Sequence, residues 1–314
     1  MSVSVVICAY TLDRWDQLVL AMESVAAQEP EHETILVVDH NDDLLERARE
    51  RWPDARVLPN AGSRGLSSGR NTALQWAAGE IVAFLDDDAY AEEGWLATLL
   101  AGFADPAVVA VGGSAAPIWP GPPPAVLPDE LLWIVGCSYR GLPTQAGEVR
   151  NVMGCSMAFR REPLMAVGGF NPDTGRVGKL PIGCEETEVC IKLRQADASR
   201  IVWYDPAARV RHHVSEDRVR FAYVARRSWC EGLSKAAIAR TVGRHDALSA
   251  ESAYASRVLP AAVWRELRRG PRGLIPAVAV AASLGLAGVG YLRGRFARVR
   301  TGAARTALPS GVAA

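Results

Sequence analysis

Ile81-Val82-Ala83-Phe84-Leu85-Asp86-Asp87-Asp88-Ala89 is a run of five apolar residues followed without a spacer by three carboxylates. The apolar part has the length of a strand buried on both faces, as in the middle of a parallel sheet. Three adjacent acids at the end of such a strand repel one another unless solvent or a cation relieves them. Carboxylate oxygens suit hard divalent ions, and Mg²⁺ sites commonly combine one or two of them with substrate phosphates. In open α/β sheets ligands collect beyond the carboxyl ends of the strands, which is where these acids fall. Taken alone, the stretch reads equally well as an acidic turn in solvent, so the flanking segments have to decide.

Upstream, residues 2–10 are a β-branched run expected as a central strand. A polar turn over 11–16 leads into a helix marked by Leu18, Leu20, Met22 and Val25, which Glu29-Pro30 breaks. Residues 34–38 predict a second strand, 39–43 a polar loop, 44–52 a helix and 55–58 a short strand. A glycine-containing loop over 60–66 then opens a helix over 67–78. This alternation predicts an α/β fold with a mostly parallel sheet flanked by helices. No GxGxxG turn follows the first strand and there is no Walker A loop, which disfavours a dinucleotide or P-loop fold.

Downstream, a helix is expected over 95–103 and strands over 107–113 and 151–160. Between them Pro117, Pro120, Pro122, Pro123, Pro124 and Pro128 predict an excursion without regular structure. Gly168-Gly169-Phe170 reads as a turn. Pro181-Ile182-Gly183-Cys184 reads as a glycine-led turn opening a helix whose first turn carries Glu185, Glu186 and Glu188. The helix dipole favours acids there, and simple capping is the reading taken for Glu188. A last strand over 200–204 and an extended piece over 210–214, with His212 and His213, follow.

Beyond residue 218 the pattern turns helical. Residues 274–292 carry no charge, with Arg265, Arg268, Arg269 and Arg272 before them and Arg293, Arg295, Arg298 and Arg300 after. The stretch just meets the length of a membrane span, but it is rich in Ala and Gly and contains Pro276. An in-plane helix held by arginine to anionic lipid fits as well, and a buried terminal helix is the plainer alternative. The expected division is a catalytic domain over 1–235, a helical extension over 236–300 and a disordered tail over 301–314. The formal net charge of the 314 residues is zero, so no global field favours nucleic acid. Six scattered cysteines without a CxxC pair, and a start without a basic or cleavable leader, predict reduced thiols in a cytoplasmic protein.

With these segments placed, the chain resembles the family 2 glycosyltransferases, which have the GT-A fold. The matching stretches are Val5-Val6-Ile7-Cys8-Ala9-Tyr10-Thr11, Val37-Val38-Asp39, Arg64-Gly65-Leu66 through Arg70-Asn71, Phe84 to Asp88, Gly168-Gly169-Phe170 and Glu185-Glu186-Thr187-Glu188. They run in the family's order over roughly residues 1–235. A DxD alone is common by chance, and the ordered set is what carries the likeness. The resemblance implies that Thr11, Asp39, Arg70, Asp86 and Asp87 bind the nucleotide sugar. It implies that Asp86 and Asp88 hold a divalent metal, Mn²⁺ or Mg²⁺, with His212 as a further ligand and His213 a weaker candidate. Glu186 falls where the family usually has the Asp of a Glu-Asp pair, the catalytic base, with Glu185 beside it; the residue type departs but a carboxylate is kept. Leu132-Trp133-Ile134-Val135-Gly136, Tyr139-Arg140-Gly141, Gly147 to Asn151 and Gly232-Leu233-Ser234-Lys235 look like the archaeal transferases that add a hexuronic acid to dolichyl-phosphate-linked glycans.

The implied activity is inverting transfer from a nucleoside diphosphate sugar, UDP-linked, to a hydroxyl of a glycan or polyprenyl-linked acceptor. The arginine-flanked C-terminus would hold the enzyme on the inner face of the membrane. Arg226 and Arg227 are candidates for a phosphate, although solvated helix charge is the simpler account. Two rivals remain at this point. A sugar nucleotidyltransferase would need a glycine-rich, lysine-containing loop after the first strand, which is missing. A silent nucleotide-sugar-binding protein would not need carboxylates at both places.

Overall fold

The computed structural model describes residues 1–174 and 183–296. In chain order its elements begin with β1 (Val3–Ala9), α1 (Trp15–Ala26), β2 (Glu33–Val38), α2 (Asp42–Arg51), β3 (Arg56–Pro59), α3 (Leu66–Trp76) and β4 (Ile81–Asp86). Then come β5 (Ala89–Ala91), α4 (Trp95–Ala101), β6 (Val108–Ile118), β7 (Gly147–Glu148), β8 (Ser156–Arg160), α5 (Arg161–Ala166), α6 (Glu185–Ala196) and β9 (Ile201–His213). The chain continues through α7 (Phe221–Thr241), α8 (Arg244–Ala253), α9 (Leu259–Leu267) and α10 (Leu274–Phe296). The expected tail over 301–314, the turn residues Pro181 and Ile182, and the flanking Arg298 and Arg300 lie outside the described residues.

The strands form one sheet in the order β3-β2-β1-β4-β8-β6-β9-β5, with β7 also on β9. β3, β2, β1 and β4 are parallel, as the strand–helix alternation predicts. β8 enters antiparallel between β4 and β6, and β6 runs parallel to β9. Helices cover both faces, which is why the central strands are continuously apolar rather than alternating. Val5 and Ile7 of β1 pack on one side with Leu18, Met22 and Val25 of α1, while Val6 packs on the other with Ala73 and Leu74 of α3. Each such fully buried aliphatic side chain contributes about 1.5–3 kcal/mol.

Two segments differ from expectation for local reasons. β6 extends through Pro117, because there it pairs only with β9 and the missing proline N–H faces no partner strand. The separate pieces expected at 200–204 and 210–214 are one strand, β9, whose ladder with β6 shifts register between Gly112 and Ser114. Residues 151–155 lie before β8 rather than in it. The six cysteines form no disulfide.

A third apolar cluster joins the middle of the chain to its C-terminal helices. Leu131, Ile134 and Val135, after the proline-rich excursion, pack with Val214, Val224 of α7, Leu259 of α9 and Val280 of α10. α10 lies along α7 through small residues. A Cβ at Gly232 would fall 2.0 Å from the Ala287 carbonyl, one at Gly290 would fall 2.3 Å from that of Trp229, and Ser228 and Ser283 share a hydrogen bond of 2.8 Å. Pro276 sits in the first turn of α10, where its missing N–H costs no helical bond.

Candidate active site

Asp86 ends β4, and Asp87 and Asp88 follow it in the turn into β5. The short β5 pairs antiparallel with β9, setting Ala89 opposite His212. That register delivers His212 to the acids: its Nε2 lies 3.1 Å from an oxygen of Asp88. Asp86, Asp88 and His212 each offer one ligand atom, and these atoms lie within 4.8 Å of one another. Two hard carboxylates with one imidazole are a donor set that suits Mn²⁺ or a similar divalent ion.

Burial disfavours an ionised Asp88, but His212, Arg14 and Arg218 outweigh it and hold the carboxyl well below the ordinary carboxylate range. Arg14 Nη1 lies 2.7 Å from both Asp87 and Asp88, and Arg218 Nη2 lies 3.5 Å from Asp88. Asp87, buried with a second oxygen lacking any hydrogen-bond partner among the described residues, is pushed up to about 7 by burial, with Arg14 opposing. For His212 burial works against the charge, yet Asp88 prevails and raises it to about 10. His213 is half-buried, and its Nε2 has no hydrogen-bond partner among the described residues.

Thr11 is half-buried after β1 and caps a 3-10 turn by accepting from the Asp13 N–H. Asp39, at the end of β2, accepts from Asn60 Nδ2 at 2.6 Å and from the Gly65 N–H at 2.9 Å. These bonds hold the loop before α3, and Gly65 has φ +138°, a value that favours glycine. Thr11 and Asp39 therefore lie at the carboxyl ends of adjacent parallel strands.

Arg70 is carried into the interior by α3 and is 2% exposed. Its guanidinium donates to Glu185 and to the Gly154 carbonyl, each at 2.9 Å, and lies 3.4 Å from Asp86. Phe170 and Phe84 flank it at 5.3 and 5.8 Å. Burial would discharge it, but Glu185 and Asp86 keep it charged. It ties the acids after β4 to those opening α6.

Glu186 is half-buried on the first turn of α6. A Cβ at Gly154 would lie 3.4 Å from Arg70 Nη2 and 3.8 Å from Glu186 Oε2, so Glu186 shares the Arg70 neighbourhood. Burial, then repulsion from Glu185, pushes its carboxyl up to about 7, with Arg70 and Lys235 opposing. The turn before it is tense: Cys184, not glycine, has φ +80°. Glu188 does not cap; it is fully buried and joins Lys192, Thr174 and Asn171. Arg226 is exposed, whereas Arg227 is drawn inward to Glu231 at 2.7 Å and lies over Trp133.

Arg14, Arg218 and Asn60 are the site groups that sequence reasoning missed. Arg14 follows the first strand within a polar turn, and Arg218 and Asn60 carry no pattern of their own, so only their contacts reveal them.

Residues 4–168 match the model of Glycosyl transferase family 2. The chain is 36% identical over 240 residues to the glucosyl-dolichyl phosphate glucuronosyltransferase of Haloferax volcanii, covering 75% of this chain and 76% of that one. It is 31% identical over 160 residues to a pre-mycofactocin glycosyltransferase of Mycobacterium tuberculosis, over 51% of this chain and 32% of that protein. Its fold is similar to that of the mannosyltransferase PcManGT of Pyrobaculum calidifontis, solved with GDP-Man and Mn²⁺, with TM-score 0.61 and 20% identity over 92% of this chain and 86% of that one. It is also similar to GalNAc-T7, solved with UDP, GalNAc and Mn²⁺, with TM-score 0.54 and 17% identity over 91% of this chain and 54% of that one.

Proposed function

Since this chain belongs to glycosyl transferase family 2 and is a glycosyltransferase, we propose that it is a metal-dependent, inverting enzyme moving a sugar from a UDP-linked donor to a hydroxyl of a polyprenyl-linked glycan. One observation carries the reading. Arg70 lies within 3.4 Å of Asp86 in the Asp86/Asp88/His212 cluster and holds Glu185, the neighbour of Glu186, so two acid groups of different character share one wall. The strongly ionised Asp88 suits a cation, and the Glu186 carboxyl near 7 suits a proton acceptor.

A divalent ion held by Asp86, Asp88 and His212 would neutralise charge on the departing diphosphate. Thr11 and Asp39 are assigned to the base and ribose of the donor, with Asp39 keeping the loop over 60–65 in place. Arg70 holds Glu185 and so fixes the opening turn of α6. Glu186 accepts the proton of the acceptor hydroxyl as its oxygen bonds to the anomeric carbon and the bond to the diphosphate oxygen breaks. Attack opposite the leaving group inverts the configuration. The glucuronosyltransferase relative supports a dolichyl- or polyprenyl-linked acceptor, and with the apolar α10 it supports a cytoplasmic enzyme working at the membrane surface.

The test pairs two variants with product analysis. Asp88→Asn should lose Mn²⁺-dependent transfer, and Glu186→Gln should lose transfer at least about a thousandfold while binding UDP-sugar normally. NMR of the product should show the anomeric configuration opposite to that of the donor. Wild-type rates in both variants, or a retained configuration, would remove the mechanism.

A further inference from the structure

We infer that α9 and α10 form a monotopic device that lies in the plane of an anionic lipid surface and does not cross it. The inference deepens the membrane-surface reading given above and is independent of the transfer chemistry. α10 is long enough to span, since its 23 residues at 1.5 Å each reach about 34 Å. Length therefore decides nothing, and the two faces of the helix decide instead.

One face is committed to protein. Ala279, Val280, Ser283, Gly290 and Gly294 are buried, and close approaches run along α7 from Ser228 to Arg240, which donates to the Gly294 carbonyl at 2.8 Å. A spanning α10 would carry that length of α7 to bilayer depth. α7 bears Glu231 and Lys235 in a buried network with Arg227, Arg150 and Glu251, and Arg240 further along. Charged side chains at the bilayer centre are strongly disfavoured. Peeling α10 away from α7 instead would expose the glycine-lined seam and remove Ala279 and Val280 from their apolar cluster.

The other face is left exposed among the described residues and is of one chemistry. Leu274, Val278, Leu284, Val289 and Leu292 follow helical spacing and are 37–56% exposed. Beside them α9 exposes Trp264 at 60% and Leu267 at 46%, and an apolar groove between the two helices is lined by Val263, Trp264, Leu267, Ala281 and Leu284. Exposed Arg268, Arg269 and Arg272 flank one end of α10 and Arg293 and Arg295 the other. The single acid from Tyr254 to Phe296, Glu266, is 2% exposed and paired with Arg265 and Arg269. An apolar strip with a tryptophan, edged by arginine without exposed acid, complements the boundary between acyl chains and anionic headgroups.

The full chain is floated with phosphatidylcholine vesicles, with and without phosphatidylglycerol, in the absence of donor and acceptor. Binding should be at least about tenfold stronger with the anionic lipid and weaken in high salt. Val278→Glu with Val289→Glu should lose binding by about tenfold or more with circular dichroism, thermal midpoint and UDP binding unchanged. Arg268→Gln with Arg272→Gln should remove the anionic preference. The extra tryptophan of Leu284→Trp, read as a difference from wild type, should be quenched by lipids brominated near the headgroup more than by those brominated near the chain ends. Deeper quenching would make α10 a span, and equal binding to both vesicle types would remove the arginine argument. Absent vesicle binding, with a wild-type dimer that Val278→Glu and Val289→Glu render monomeric, would make the face a contact between copies; each of these results overturns the inference. Because vesicle binding needs no substrate and transfer to a soluble acceptor needs no vesicle, either reading can fail alone.

Discussion

Glu186 is held under opposing demands. Partial burial beside Glu185 raises its carboxyl from 4.5 to about 7, which makes it a better proton acceptor and a costlier group to keep ionised. The folded state therefore binds this proton more tightly than the unfolded chain, and ionisation costs stability as pH rises from about 4.5 through 7. Glu186→Gln should be more stable than wild type by roughly 1–2 kcal/mol at pH 8, after allowance for its partial exposure, and about equal at pH 5. Urea denaturation at the two pH values checks this, and a gain larger at pH 5 would reverse the sign. Transfer by the wild type should fall as pH drops below about 7, following loss of the carboxylate. Arg70 is the other residue whose loss reads clearly. Arg70→Met should destabilise by about 3–5 kcal/mol by leaving the buried Glu185 unpaired, and adding Glu185→Gln should recover part of it. Additive losses in denaturant unfolding would show that the two side chains are uncoupled.

α6 owes its position to elements far along the chain. The Gly183 N–H donates to Ser234, and the Cys184 thiol points to Glu231 at 3.3 Å. Glu231 also takes Arg227 at 2.7 Å and Lys235 at 3.4 Å, and Lys235 continues to Glu251, which Arg150 grips. Three cations thus share two carboxylates, and the cations hold Glu231 down to about 2 despite its burial. Glu231→Gln should cost about 2–4 kcal/mol by stranding buried positive charge. It should lower kcat severalfold while leaving the donor KM near its wild-type value, because the turn bearing Glu186 loosens and the β1–β2 end does not. Steady-state kinetics with a pH profile checks this, and a change confined to donor KM would contradict the positioning role.

Across the whole molecule the C-terminal helices are structural members of the fold. Residues 127–137 and Val214, just after β9, share one apolar cluster with α7, α9 and α10. A chain ending at residue 269 should therefore fail to yield soluble, cooperatively unfolding protein, since it uncovers the Gly232 side of α7 and the cluster around Ile134. Recovery of a stable, active fragment would show instead that the helices are an appendage. Mn²⁺ and UDP together should raise the thermal midpoint by more than the sum of their separate shifts, and chelation should abolish transfer until Mn²⁺ is restored. Additive shifts would mean that the nucleotide and the ion bind independently.

The amino-acid sequence by itself determined what nearest neighbours along the chain can determine. The apolar runs at 3–9 and 81–86 had to be central strands, the intervening periodic stretches had to be helices, and the carboxylates had to sit where a strand or helix begins or ends. The order of these motifs was enough to point to the family. Tertiary structure decided which of them meet. Asp86 and Glu185 come together through Arg70 from an element 115 residues away from Glu185, and His212 reaches Asp88 because the three residues of β5 pair with β9. Arg14 and Arg218 acquire their place only through the same closure. Periodicity reports which face of an element is apolar, but not which charges from distant elements will share a buried space, because that depends on register and packing made only when the sheet is assembled.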